Sequence, residues 1–391
     1  MILPQTVWIG LFDDYRNLVK DTTEAPDNYH FVNLASIFGA VLGRRIWFDY
    51  AVPTFPNYYT CDVGPTAIAR KGTAWRLAEA ILYEVDPTIK RTYPGSAEGL
   101  LDQLDGNRQN VAIAADELRS LLAKAHYQDG VKSLIPKIAE LFDCLPVYQL
   151  GTRNNPVVAN KPFVSMFAGT TIEWLNESLQ MLDIHGGLGN RILFVPGEPK
   201  PPKPRPAKID QVAKQKIVNE LKDIQQWAEK HYNSTAEGEI TATDAAYQMF
   251  EPYYLDNYEK CKEATSVESV LIRRLHVYVW KFALLYVAMD RSVVIDTKHL
   301  QPAIEVCAAL EGGVREVFSA FSETKTGQVE KKILEILKTK RNINFRELYR
   351  KLNIPSGQLW QICENMTKGG LITMKEVKGR GRAGWGIRLL S

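Results

Sequence analysis

A chain of 391 residues that is 45% hydrophobic and 24% charged has the apolar content of a soluble globular protein, enough for two or three domains. No apolar run reaches membrane-spanning length, and the start Met1-Ile2-Leu3-Pro4-Gln5 lacks the pattern of a secretory leader. Five scattered cysteines with no C-x-x-C pair argue for a reducing cytoplasm and against a disulfide framework or zinc knuckle.

The net charge of +3 conceals a division. Residues 325–391 carry 15 Lys and Arg against 5 Asp and Glu, a net +10, which leaves −7 for residues 1–324. A mildly acidic body with a strongly basic tail points to a polyanion held by the tail. A solvated basic face is the plainer reading of the same charge.

In chain order, apolar spacing predicts helices over 7–20 and 29–42, an N-terminal helical segment taken as 1–45. Strand-like runs follow at 46–50 and 58–63. Directly after the second comes Val63-Gly64-Pro65-Thr66-Ala67-Ile68-Ala69-Arg70-Lys71-Gly72-Thr73, then a helical pattern over 74–84. A strand, a tight loop with Gly near both ends and a Lys, then a helix is an arrangement that grips phosphate. Loop N–H groups and the positive end of the helix dipole face the anion, and the lysine neutralises its charge.

Gly64, Arg70, Lys71, Gly72 and Thr73 are therefore the candidate nucleotide contacts. The loop departs from the usual G-x-x-x-x-G-K-[ST] form. Gly64 stands seven residues before Lys71, Arg70 occupies the place of a glycine, and Gly72 separates Lys71 from Thr73. An ordinary strand–turn–helix junction is the competing reading.

The apolar run 111–115 ends in Asp116-Glu117 and passes into a helical pattern over 118–125. At the C-terminal edge of a strand, Asp116 can hold Mg²⁺ while Glu117 orients and deprotonates an attacking water. Acid enrichment at a helix start is the alternative. Further strand patterns lie at 146–150, 163–168 and 192–195. The second of these ends in Gly169-Thr170-Thr171, with Thr170 a candidate polar contact between the acids and the outer phosphate, or else a cap for the helix near Ile172. His185-Gly186-Gly187-Leu188-Gly189-Asn190-Arg191 offers Arg191 on a glycine-rich loop, suited to an arginine finger worth ~10³–10⁵ in rate. A surface arginine on a loop is the simpler account.

Alternation of strands and helices over 46–196 predicts a parallel sheet with helices on both faces. Six prolines between 196 and 206 then read as a semi-rigid connector closing an ATPase core over 46–206. Helical patterns at 208–232, 242–262, 267–289 and 297–321 predict an all-α lid over 207–324, on which Arg273 or Arg274 can reach the nucleotide of its own subunit. The tail, 325–391, reads as a winged helix-turn-helix with helices at 329–339, 344–352 and 355–368 and strands at 371–377 and 386–390. Its third helix presents Ser356, Gln358 and Gln361 to a DNA groove, and Lys378, Arg380 and Arg382 of the wing reach phosphates. Winged helices that bind proteins are the alternative.

With these residues in place, the chain resembles a family of P-loop ATPases that accompany primase domains in phages, plasmids and integrated elements. Its members are known chiefly as a helicase-like domain of unknown function. The resemblance covers roughly residues 5–310 and rests on Val63-Gly64-Pro65-Thr66, Ala69-Arg70-Lys71-Gly72-Thr73 and Gly95-Ser96-Ala97-Glu98-Gly99-Leu100. Asp116-Glu117-Leu118, Phe167-Ala168-Gly169-Thr170-Thr171 and Gly189-Asn190-Arg191-Ile192-Leu193-Phe194 complete it. It implies a RecA/AAA+-like ATPase using ATP and Mg²⁺, assembled as a homo-oligomeric, hexameric ring and acting in replication of a mobile element. The motif order is also similar to AAA+ and hexameric helicase ATPases. That comparison places Lys71 on the β/γ-phosphates and Thr73, with Asp116, on Mg²⁺; the inserted Gly72 puts Thr73 in question. The expected function is an ATP-dependent DNA helicase or translocase, with a primase as a candidate partner. A DNA-binding replication initiator or regulator with a degenerate, switch-like ATPase is the alternative, and an assembly scaffold a third.

Overall fold

The computed structural model describes every residue except 128–132, 151–156, 180–186, 263–265, 319–324, 353, 378–383 and 390–391. Helices α1 (Leu11–Val19) and α2 (Asp27–Leu42) precede strands β1 (Trp47–Tyr50), β2 (Val52–Thr54) and β3 (Tyr59–Val63). Next come α3 (Lys71–Val85), β4 (Lys90–Thr92), α4 (Ala97–Leu104), β5 (Gly106–Asn107) and β6 (Asn110–Ala115). The chain continues through α5 (Leu118–Tyr127), α6 (Leu134–Leu141), β7 (Val147–Leu150) and β8 (Val157–Asn160). Strand β9 (Phe163–Thr170), α7 (Ile172–Ser178) and β10 (Leu193–Pro196) follow.

Strands β10, β3, β9, β6 and β4 lie side by side in that order, and every pairing is parallel. All residues of β3, β9 and β10 are buried, as strands covered on both faces must be. On one face Trp75 of α3 stacks on Phe167 of β9 at 4.4 Å, and Asn33 of α2 reaches Asp62 of β3. On the other, the Tyr59 hydroxyl donates to the Ile138 carbonyl of α6 and Phe142 packs edge-on against the Tyr59 ring. The chain leaves β3 toward β4 at one edge of the sheet and leaves β9 toward β10 at the other. Connections diverging from neighbouring strands open a crevice at their C-terminal ends, the usual ligand position of an open parallel sheet.

The N-terminal helices are part of this core. Residues 28–42 of α2 are all buried, the state expected of a helix with no polar face. One hydrophobic cluster runs from Leu3 to Phe318, so residues 1–45 do not stand apart as a segment.

The all-α lid expected over 207–324 also needs correction. Helices span Gln211–Tyr232, Asp244–Cys261, Val267–Ile272, Leu275–Met289 and Thr297–Phe318, but strands β11 (Glu239–Ala242) and β12 (Val294–Ile295) lie among them. They join β1 and β2 in a second sheet, ordered β12-β11-β1-β2. Strands of four and two residues carry too little pattern to stand out between strongly periodic helices. The helix Gln211–Tyr232 packs on α1, α2 and α3, and Thr297–Phe318 packs on β10. The proline-rich run is likewise no free spacer. Lys200 N–H donates to the Glu24 carbonyl (2.9 Å), Lys203 N–H to the Glu24 carboxylate (2.8 Å) and Ala207 N–H to the Asp21 carbonyl (2.9 Å).

The tail has a core of its own around Ile333, Leu337, Leu348, Leu359, Cys363 and Ile387. Helices Lys325–Lys340, Phe345–Leu352 and Ser356–Lys368 accompany the antiparallel strands β13 (Asn342–Asn344), β14 (Ile372–Val377) and β15 (Gly384–Leu389). All five cysteines are free and buried, and burial pushes every thiol above its ordinary range. No described helix is long and apolar enough to cross a membrane.

Asp62 is fully buried in β3; one carboxylate oxygen accepts from Asn33 Nδ2 (3.2 Å) and the other has no partner. Burial pushes its pKa well above the carboxylate range, with the Asn33 hydrogen bond and the charge of Lys71 opposing. A raised folded pKa means the native state binds more protons, so stability is lost as pH rises above the unfolded value of about 3.9. Asp62→Asn should therefore melt above the parent at pH 7–8, with the gap closing toward pH 4. Thermal melts across that range check it; a gap independent of pH refutes it.

Candidate nucleotide site and nucleic-acid interface

The phosphate-loop candidate starts where β3 ends, at the β3/β9 crevice. Three contacts fix that end: Gly64 N–H donates to the Thr170 carbonyl (3.1 Å), and Gly197 N–H (3.2 Å) and the Tyr29 hydroxyl (2.7 Å) donate to the Val63 carbonyl. A Cβ on Gly64 would lie 2.4 Å from the Tyr29 oxygen and 3.1 Å from the Gly197 carbonyl, so only glycine fits.

Helix α3 begins at Lys71, whose ammonium folds back over the loop and donates to the carbonyls of Gly64 (2.6 Å) and Pro65 (3.4 Å). Half-burial pulls the Lys71 pKa down, while Glu117 and Asp62 pull it back up. Arg70 caps the helix in the left-handed conformation (φ 52°) and turns outward to pair with Glu24 at 2.6 Å. Gly72 and Thr73 follow in the first helical turn: Gly72 has open space where a Cβ would stand, and Thr73 is exposed.

The acids meet this lysine. A Cβ on Gly169 would sit 3.1 Å from the Asp116 carbonyl and 3.7 Å from Lys71 Cδ and Cε, which brings the loop, the acid pair and the end of β9 into one neighbourhood. Burial raises the Glu117 pKa, and the Thr170 hydroxyl and Lys71 counteract it. Glu117 Oε1 is buried without a partner. Thr170 is buried, and the capping role falls to Thr171, whose hydroxyl accepts from Trp174 N–H at 3.2 Å. Asp116 is mostly exposed and lies 3.8 Å from Arg91 Nη2, while Arg91 Nε pairs with Glu79 at 3.2 Å. A cleft of about 640 Å³ opens beside Arg91, Tyr93, Asp116 and Glu117.

Asp116 and Thr73 are hard oxygen donors of the class Mg²⁺ takes, and Mg²⁺ relies on few protein groups, with waters and phosphates supplying the rest. Among the described residues there is no cluster of three His, Cys, Asp or Glu that could hold a metal ion.

The three arginines lie elsewhere. Arg191 precedes β10, the strand beside β3, and so lies at the N-terminal end of the strands, away from the candidate loop at their C-terminal end; it pairs with Asp143 at 2.7 Å. Arg274 pairs with the same carboxylate at 3.2 Å, and Arg273 donates to the Cys261 carbonyl at 2.6 Å. Arg274 thus shares the place of Arg191 at the N-terminal end of the strands, and the Arg273 guanidinium is engaged by Cys261, so neither contact brings them to the candidate loop of their own chain. His185 and Gly186 of the preceding run lie outside the described residues.

Tyr29, Arg91 and Asp143 escaped the sequence reading because each lies far along the chain from what it touches. Asp62 left a visible signal, an acid inside an apolar strand.

In the tail, Leu359, Ile362, Cys363 and Met366 bury one face of the helix Ser356–Lys368, and Ser356, Gln358 and Gln361 are exposed on the other. Trp360 packs edge-on against Phe345 (5.3 Å) and Trp385 (5.2 Å), bracing that helix against its neighbour and the hairpin. Lys378, Arg380 and Arg382 lie outside the described residues. Residues 328–373 match a family described as winged helix-turn-helix DNA-binding. The C-terminal unit is thus a winged helix-turn-helix DNA-binding domain. A comparison of the chain with curated proteins gave no match.

Gly64→Ala should lower stability by roughly 1–3 kcal/mol through overpacking against Tyr29. Tyr29→Phe removes the closest clashing atom, so the glycine substitution should cost less in that background. Denaturant melts of the four proteins check the coupling, and strictly additive effects would contradict it.

Proposed function

We propose that the chain is an ATP-hydrolysing motor that acts on DNA, a helicase or translocase serving replication of a mobile element and working as a homo-oligomeric ring. The observation that carries this reading is the gathering of Gly64, Lys71, Glu117 and Thr170 at the crevice of a parallel sheet whose strands run, by chain order, fifth-first-fourth-third-second. In it Lys71 exchanges the carbonyls of Gly64 and Pro65 for phosphate oxygens, a charge-assisted contact stronger than the one it leaves. N–H groups of the loop and first turn of α3 face the same anion. Glu117, with its pKa raised by burial against the opposing influence of Thr170 and Lys71, takes the proton of the attacking water. Mg²⁺, held by Asp116 and the phosphates, would neutralise charge on the transferred group.

Lys71→Ala should lower ATP turnover by about 10²-fold or more. Glu117→Gln should lower turnover about 10²–10⁴-fold while leaving nucleotide binding in place. Measuring turnover and nucleotide affinity with and without single-stranded DNA tests both, and a Lys71→Ala protein as fast as the parent rejects the site.

A second reading, a DNA-binding initiator or regulator with a switch-like ATPase, is favoured by the outward turn of Arg70 and the exposure of Thr73. It predicts nucleotide-dependent DNA affinity with little turnover and no strand displacement. Both readings require phosphate contacts from the tail, so log Kd for DNA should change with log salt by about 0.9 per contact. A salt-independent affinity would point instead to a protein-binding tail.

A further inference from the structure

Two guanidinium groups share one carboxylate near the N-terminal end of β10, the end of the sheet away from the candidate phosphate loop. Arg191 Nη2 meets Asp143 Oδ2 at 2.7 Å, and Arg274 Nη1 meets Asp143 Oδ1 at 3.2 Å. Each oxygen is taken by a different arginine, as two oxygens of a phosphate group would be.

The cluster is left with surplus charge and surplus donors. Two cations face one anion, and the neighbouring Lys281, buried against the Phe55 carbonyl, has its pKa pulled down by burial to about 7. Arg191 Nε is buried and has no partner. Exposure is divided unevenly: the Asp143 side chain is 42% accessible and that of Arg191 only 12%. The anion therefore sits on the solvent side of the cation, where an incoming anion can replace it. A cavity of about 840 Å³, bordered by Phe142, Asp143, Arg274 and Lys281, leaves room beside it.

The arginines cannot serve the phosphate loop of their own chain. Strand β10 runs parallel to β3 with Pro196 opposite Val63, and Arg191 lies five residues before Pro196. At a strand rise near 3.3 Å per residue, Leu193 at the start of β10 is already roughly 10 Å back from the strand end, and Arg191 lies in the turn before it. Any triphosphate that these donors contact belongs to another copy.

We propose that Asp143 is an internal stand-in for phosphate: it holds Arg191 and Arg274 together in the isolated protomer and yields them to the terminal phosphate of a nucleotide bound on a neighbouring copy. The proposal rests on the nucleotide reading above and adds a latch to it. Asp143 is a positioning residue, acting through the two arginines; binding of the neighbour's anion and opening of the ion pair are one exchange.

The test is ATP turnover per chain against protein concentration for the parent, Asp143→Asn, Asp143→Glu, Lys71→Ala and Arg191→Ala. Asp143→Asn removes the competing charge, so half-maximal turnover should come at several-fold lower protein concentration, while Asp143→Glu stays near the parent. Mixing Lys71→Ala chains with Arg191→Ala chains should restore turnover that neither shows alone. An unchanged concentration dependence for Asp143→Asn, or a loss equal at all concentrations, overturns the latch. A dead mixture overturns the supply of arginines by a neighbour, and this arm stands even if Asp143→Asn does not fold. Where Lys71→Ala matches the parent, the nucleotide reading itself fails; where Lys71→Ala is inactive and the other arms fail, only this inference does.

Discussion

The close approach of α2 to the end of β3 governs the geometry of the candidate site. Tyr29 and the backbone at Gly197 hold the Val63 carbonyl, and Gly64 passes between them with no room for a side chain. Because that exit is fixed, the loop turns toward β9, and its backbone bonds to Thr170 before reaching Lys71. Shift the exit and the lysine loses the Gly64 and Pro65 carbonyls that hold its ammonium. The buried N-terminal helix thus serves as the floor of a site whose reactive groups all come from later in the chain.

Electrostatics at that floor are unusual. Asp62, fully buried one residue before Val63, is an acid whose pKa burial pushes well above the carboxylate range, and Lys71 is the cation among the influences that oppose this. Glu117 is pushed in the same direction by its own burial. Two carboxyls with raised pKa flank one lysine with a lowered pKa, the pattern that desolvation imposes on groups sharing a partly closed crevice.

Much of the architecture was legible in the residues. Strand patterns at 58–63, 111–115 and 163–168 and the helical patterns beyond 208 lie on observed elements, because long periodic runs and fully apolar strands have strong signatures. The tail was legible for the same reason: Leu359, Ile362 and Met366 repeat at helical spacing, with turn residues between the elements. What escaped was short or distant. Strands β4, β11 and β12 have three, four and two residues, and pairing of β1 with β11 joins positions almost two hundred residues apart. The lid boundary failed with them, since a boundary is defined by contacts that do not cross it. Among site residues, Lys71, Glu117 and Thr170 follow local strand–loop–helix logic and lie together. Arg273 and Arg274 depended on the docking of whole helices, which local pattern does not encode.

All five thiols are enclosed, from Cys61 in the central strand to Cys363 in the tail, and each is held protonated by its surroundings. The native surface is therefore silent toward maleimides and similar reagents. One cysteine placed by mutation on an exposed position becomes a unique attachment point, so a single fluorophore can be installed without first stripping the natural sulfurs from the core.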